Sequence, residues 1–219
     1  MKIYNMEQGT KEWKDIRKLH FTASNASAII ANGKGLQTLV DDMLAEYYSS
    51  GEFSEYTDDY KNYQMQRGND YEEKARKIYE FETGKKVKTV GFIELDEHIG
   101  VSPDGLVDDD GLVEIKNHSD KVFLKLAETR KIDKKYLDQM QMQMFVTERP
   151  WCDYFAFNPN FNPCYIKIRV NRDIEVHKQL VEGLGAGKAL LKQKKEILDK
   201  LFEKDVAWVV KQLYMKLKL

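Results

Sequence analysis

The stretch SPDGLVDDDGLVEIK, Ser102 to Lys116, decides how this chain is read. Two short runs of Val, Leu and Ile flank a turn of Asp and Gly, which predicts a β-hairpin. With Asp109 at the tip, Val107 faces Gly111, Asp104 faces Glu114 and Ser102 faces Lys116. Facing residues share a side of the sheet and side chains alternate along a strand. These four polar residues therefore project from one face, while Val113 and Ile115 point to apolar packing on the other. Two carboxylates directly opposite repel each other unless something neutralises them. A divalent metal does so, because Asp and Glu oxygens, a main-chain carbonyl and waters are the hard ligands that Mg²⁺ or Mn²⁺ prefers. Lys116 beside them can orient a water, help deprotonate it, or offset charge on a phosphate. By pattern alone the stretch fits equally an acidic solvated turn with a Glu114 to Lys116 surface ion pair.

Around the hairpin the pattern alternates between helix and strand. Val87 to Leu95, Ile99 to Val107 and Leu112 to Asn117 are short, rich in Val and Ile and divided by turn residues, which predicts an antiparallel meander. Upstream, residues 10 to 19, 22 to 32 and 36 to 48 have helical spacing, 51 to 64 reads as a loop, and 69 to 83 as a charged helix ended by Gly84. Downstream, 120 to 147 predicts one helix, although MQMQMF from Met140 to Phe145 alternates like a strand. Trp151 to Val170 reads as a hairpin with Phe157 opposite Cys164, and from Arg172 onward the pattern is helical. In that register Cys152 lies roughly 17 Å along the hairpin from Cys164 at the usual strand rise, too far for a disulfide.

The 219 residues carry 35 basic against 36 acidic side chains, a formal net charge of -1, and 42% hydrophobic residues. This suits one folded domain, expected to span 1 to 219 with a helical C-terminal region from about 172. No stretch reaches the ~18 apolar residues of a membrane span, and Met1 to Lys14 has no apolar signal core, so a soluble cytoplasmic protein is expected.

Pro103, Asp104, Glu114, Ile115 and Lys116 resemble the signature of the PD-(D/E)XK nucleases, whose core is a mixed sheet flanked by helices. Other blocks narrow the resemblance. QGTKEWKDIRKLHFTAS, Gln8 to Ser24, is similar to the opening of the phage lambda exonuclease family, or YqaJ-type viral recombinases, through Glu12, Trp13, Arg17, Thr22, Ala23 and Ser24. A Gly-x-x-x-Glu helix follows as Gly68 to Glu72 with Ala75, Arg76 and Tyr79, then Tyr136, Gln139 and Gln141. The four blocks stand in order over residues 8 to about 170. One departure is Asn117-His118, where many members have Cys-Pro.

The resemblance implies an α/β fold of the restriction-endonuclease-like kind and a Mg²⁺-dependent exonuclease, with Mn²⁺ able to substitute. It would digest double-stranded DNA from a 5′ end, release mononucleotides and leave 3′ single strands. The implied metal site is Asp104, Glu114, the Ile115 carbonyl and Glu72, with Lys116 and Gln139 serving the attacking water. Arg17, Ser24 and Ser102 would hold the 5′-terminal phosphate. A homotrimer around DNA, a single-strand annealing partner and a phage or prophage setting in a bacterial host are implied as well. Alternatives are a restriction-like or structure-specific endonuclease, or a silent subunit that binds DNA ends.

Physical readings of the same residues stand beside these. Glu72, Ala75, Arg76 and Tyr79 share a helix stripe, so Glu72 could reach the sheet or pair with Arg76. Thr22 or Ser24 can cap a helix whose free amides attract an anion near Arg17. GLGAGK, Gly183 to Lys188, has no preceding strand and is followed by Ala189, so it reads as a close-packed or kinked helix rather than a phosphate loop. His20, His98, His118 and His177 lack metal-ligand spacing, and the basic run Lys188 to Lys195 reads as a solvated face. Val206 to Leu219 suggests core or subunit packing.

Overall fold

The computed structural model describes residues 1–49 and 59–217, with 59–70 and 203–217 as backbone path alone. In chain order the elements are β1 (Lys2–Tyr4), α1 (Lys11–Ile16), a 3-10 turn (Ala23–Asn25), α2 (Ala26–Ala31), α3 (Lys34–Tyr48), α4 (Asp59–Thr83), β2 (Val87–Lys88), β3 (Phe92–Asp96), β4 (Ile99–Val101), β5 (Gly105–Val107) and β6 (Gly111–Asn117). Then come α5 (Asp120–Thr129), α6 (Lys134–Thr147), β7 (Trp151–Phe157), β8 (Tyr165–Asn171) and α7 (Ile174–Leu217).

The strands form two sheets, β1-β3-β4 and β2-β5-β6-β7-β8. In the larger, β6 and β7 run parallel through the α5–α6 crossover and the other neighbours are antiparallel. This is the expected mixed sheet flanked by helices. β7, WCDYFAF, is buried at every residue, as a central strand covered on both faces must be, whereas β8 alternates as an edge strand does. Val113 and Ile115 pack on one face with Ala75 and Tyr79 of α4, as expected. Leu106, Leu112 and Tyr154 pack on the other face with Met140, Met142 and Met144 of α6. α6 is also covered by α2 and α7, which explains its methionines: a helix buried all round needs no polar stripe.

Several expectations change. The single meander is split between two sheets at Ser102–Asp104, so the ladder never sets Ser102 opposite Lys116. The region 120 to 147 is two helices, because Arg130 takes a left-handed conformation and the Asp133 side chain accepts the Lys135 N–H to start α6. Residues 59–64 begin α4 rather than extend a loop; the remainder of that expected loop, from Ser50 to Asp58, lies outside the described residues. The β7–β8 register is one residue off the expected one, Phe157 facing Tyr165, and both cysteines are free. Gly183 and Gly187 of α7 are close-packed: a Cβ on Gly183 would lie 1.9 Å from the Ile29 carbonyl oxygen, and one on Gly187 2.7 Å from the Phe21 ring. The side chains of the expected apolar tail lie outside the described residues.

Candidate active site

The β5–β6 ladder ends at Gly105–Val113, and the chain bends at Asp104 just before it. Pro103, one residue further back, turns its carbonyl to the Gln8 amide, at 3.1 Å, rather than to β6. The Ile115 N–H is met by the Asp104 carboxylate, at 2.7 Å. In a strand the N–H and C=O of one residue face the same neighbour. Ile115 therefore turns its carbonyl, without a ladder donor, toward the side on which Asp104 stands.

Glu114, one residue earlier, is fully buried on the α6 face. The Gln139 amide donates to its Oε1 at 2.6 Å, the Gln143 amide donates to its Oε2 at 2.7 Å, and Lys116 pairs with Oε1. Burial works against the Lys116 ammonium, but the Glu114 and Asp104 carboxylates outweigh it and raise its pKa, so it is a fixed cation. Burial, then the Glu114 charge, pushes the Asp104 carboxyl well above the usual range against the pull of Lys116. Glu72 is shifted upward by burial despite Arg76, which stands 3.8 Å away, and it feels both Lys116 and Glu114. The arrangement thus brings Asp104, Glu114, Lys116, Gln139 and the Ile115 main chain together. Glu72 stands at the margin beside Arg76. Among the described residues no three His, Cys, Asp or Glu side chains form a ready metal cage. Two carboxylates with a raised Asp104 pKa and a carbonyl lacking a ladder donor nevertheless fit a hard cation that retains several waters, as Mg²⁺ does.

Gln143 was not anticipated from the sequence, where the resemblance pointed to Gln139 and Gln141. Gln141 has a fastening role: it donates to the Asn171 carbonyl and accepts the Asp173 N–H, tying α6 to the start of α7. The usable signal was helical spacing, since Gln143 lies one turn beyond Gln139.

A second cluster forms near the N-terminus. Thr10 caps α1 by accepting the Trp13 N–H, and the Trp13 indole donates to the Gly91 carbonyl and the Ser102 hydroxyl, each at 3.0 Å. The Arg17 guanidinium lies 3.8 Å from the centroid of that ring, and burial pulls its pKa down to about 10, still cationic near neutrality. Among the described residues it has no carboxylate within ion-pair distance. Arg17 and Ser24 line one cleft of about 340 Å³ with Lys14, His20 and Glu46. Ser102 is outside that lining, joined to it through Trp13. Neither Thr22 nor Ser24 makes the expected side-chain cap; their hydroxyls stand 3.2 Å apart instead.

The remaining motifs find structural places. His118 shares a 2.6 Å hydrogen bond with the Tyr154 hydroxyl, and His177 packs edge-on to Phe145. Lys188, Lys194 and Lys195 pair with Asp96, Asp41 and Asp199. Among the described residues no helix is long and apolar enough to cross a membrane.

Solved structures share this architecture. LHK-Exo from Laribacter hongkongensis, in complex with dAMP, is 31% identical over 89% of this chain and 99% of its own, with a TM-score of 0.78. A second structure of that alkaline exonuclease is 30% identical over 88% and 100%, with a TM-score of 0.72. A phage-related exonuclease from Haemophilus somnus, 18% identical over 84% and 98%, shares the fold with a TM-score of 0.57. No curated protein sequence matches. The profile of the YqaJ-like viral recombinase domain matches residues 12–150, and the chain belongs to that family.

Proposed function

We propose that this chain is a Mg²⁺-dependent exonuclease, a single nuclease domain that digests double-stranded DNA from a 5′ end, releases mononucleotides and leaves 3′ single strands. The observation that carries the reading is the Asp104–Glu114 pair beside Lys116, with Asp104 accepting the Ile115 N–H just beyond the end of the β5–β6 ladder. Asp104, Glu114 and the Ile115 carbonyl would hold Mg²⁺ or Mn²⁺, with Glu72 at the margin. That cation supplies activation of water and stabilisation of phosphate charge. Lys116, held as a cation, orients the attacking water and offsets charge on the phosphate. Gln139 keeps Glu114 in place. Arg17, lying over its tryptophan, takes the 5′-terminal phosphate with Ser24 and with Ser102, whose hydroxyl accepts from Trp13 and keeps its own proton to donate. The dAMP complex of LHK-Exo supports a mononucleotide product. The family supports a role in recombination, and the reading extends to a homotrimer around DNA, a single-strand annealing partner and action in the cytoplasm of a bacterial host.

The test is incubation with linear and circular duplexes in Mg²⁺. The expected outcome is mononucleotide release from linear DNA, faster from 5′-phosphorylated ends, with circular duplex untouched and Asp104→Ala inactive. Cutting of circular duplex would favour the endonuclease alternative. Release that persists in Asp104→Ala would remove the site assignment.

A further inference from the structure

Glu114 is gripped at both oxygens, and one of the two amides that grip it makes no other side-chain hydrogen bond among the described residues. Gln139 and Gln143 lie one turn apart on α6 and reach Oε1 and Oε2 respectively. Gln139 is half-buried and Gln143 fully buried. The Gln143 carbonyl oxygen, Oε1, is buried without a hydrogen-bond partner among the described residues. Turning the amide over would set that oxygen against the carboxylate and leave the donors empty, so the NH₂ group must face Glu114. A buried acceptor left unmade is unfavourable. Methionine, already present at 140, 142 and 144, would fill position 143 without that cost. Among the described residues Glu114 is the only hydrogen-bond partner of this side-chain amide.

We propose that Gln143 is a positioning residue for phosphodiester cleavage: it fixes the second oxygen of Glu114, so that this carboxylate is held in the orientation from which it and Asp104 can share a divalent cation. The inference rests on the metal-dependent reading above. It adds a residue that touches neither cation nor DNA and acts through Glu114.

Mn²⁺ binding to the full chain, followed by electron paramagnetic resonance, tests it. Gln143→Met takes one donor from the buried Glu114 carboxylate, so it should stay folded but melt below the unaltered protein, and it should bind Mn²⁺ about tenfold to a hundredfold more weakly. Unchanged Mn²⁺ affinity in that folded variant overturns the proposal and leaves Gln143 a packing residue. If Gln143→Met does not fold, the Gln143 side-chain amide resonances of the unaltered, ¹⁵N-labelled protein serve instead: a shift on adding Mg²⁺ is expected, and none overturns the proposal. Asp104→Ala separates the two claims. If it binds Mn²⁺ as the unaltered chain does, the metal site itself is misplaced, whatever Gln143 does.

Discussion

The Arg17 guanidinium lies over the Trp13 ring with no carboxylate within ion-pair distance among the described residues. Arg17→Ala should slow initiation at 5′-phosphorylated ends about tenfold to a hundredfold, the worth of a charge-assisted hydrogen bond, and leave 5′-hydroxyl ends unaffected. Equal slowing at both ends would deny the anchor. Asp104, Glu114 and Lys116 were legible because one turn fixes their register locally. Gln143 was not, since its partner is on a strand 29 residues away and only the folded pairing reveals it.

Among the elements, strand character was easier to read than sheet membership. The turn at Asp109 fixed the β5–β6 pairing, whereas β4 and β5 separate into different sheets through tertiary packing that no local period encodes. The β7–β8 pair is fastened by Asp153, fully buried, which accepts from Tyr79 at 2.8 Å and from Arg169 in a two-pronged pair. Arg169→Ala strips most of the compensation from a buried carboxylate and should cost about 3 kcal/mol, the lower end for a broken buried pair because Arg169 is partly exposed. Chemical denaturation measures it. The end of β6 and the start of α7 carry a pH dependence. Burial, then Lys116 and Lys135, lowers the His118 pKa, and burial, then Arg172, lowers that of His177. Folded values below the ordinary 6.5 mean that the unfolded chain takes up protons first. Their contribution is complete above 6.5 and is lost as pH falls through the folded values. Relative to the His118→Gln, His177→Gln double variant, the unaltered protein's denaturation midpoint should fall between pH 7.5 and about 5.5.

For the whole molecule, a net charge of -1 conceals an uneven distribution. Arg17, without an ion-pair partner among the described residues, sits at one cleft, and acidic groups that repel one another sit at the candidate metal site. DNA binding therefore needs no basic surplus, only a cation to offset the carboxylates. This links metal to stability. The Asp104 pKa is raised in the folded state, so its contribution is present at pH below the ordinary carboxylate value and is lost as pH rises through the folded one. In chelator near neutrality the folded protein bears that repulsion. A cation that binds only the folded chain, at a concentration 100 times its dissociation constant, adds about 2.7 kcal/mol. At roughly 2–4 °C per kcal/mol for a chain of this size, Mg²⁺ should raise the melting temperature by about 5–10 °C over chelator. Asp104→Asn gives the sharper test, because an amide oxygen can still accept the Ile115 N–H while the charge is gone. In chelator this variant should melt at or above the unaltered protein, and Mg²⁺ should no longer raise it. A variant that melts lower in chelator yet still responds fully to Mg²⁺ would mean that Asp104 stabilises the fold by ordinary hydrogen bonding and that the cation binds elsewhere.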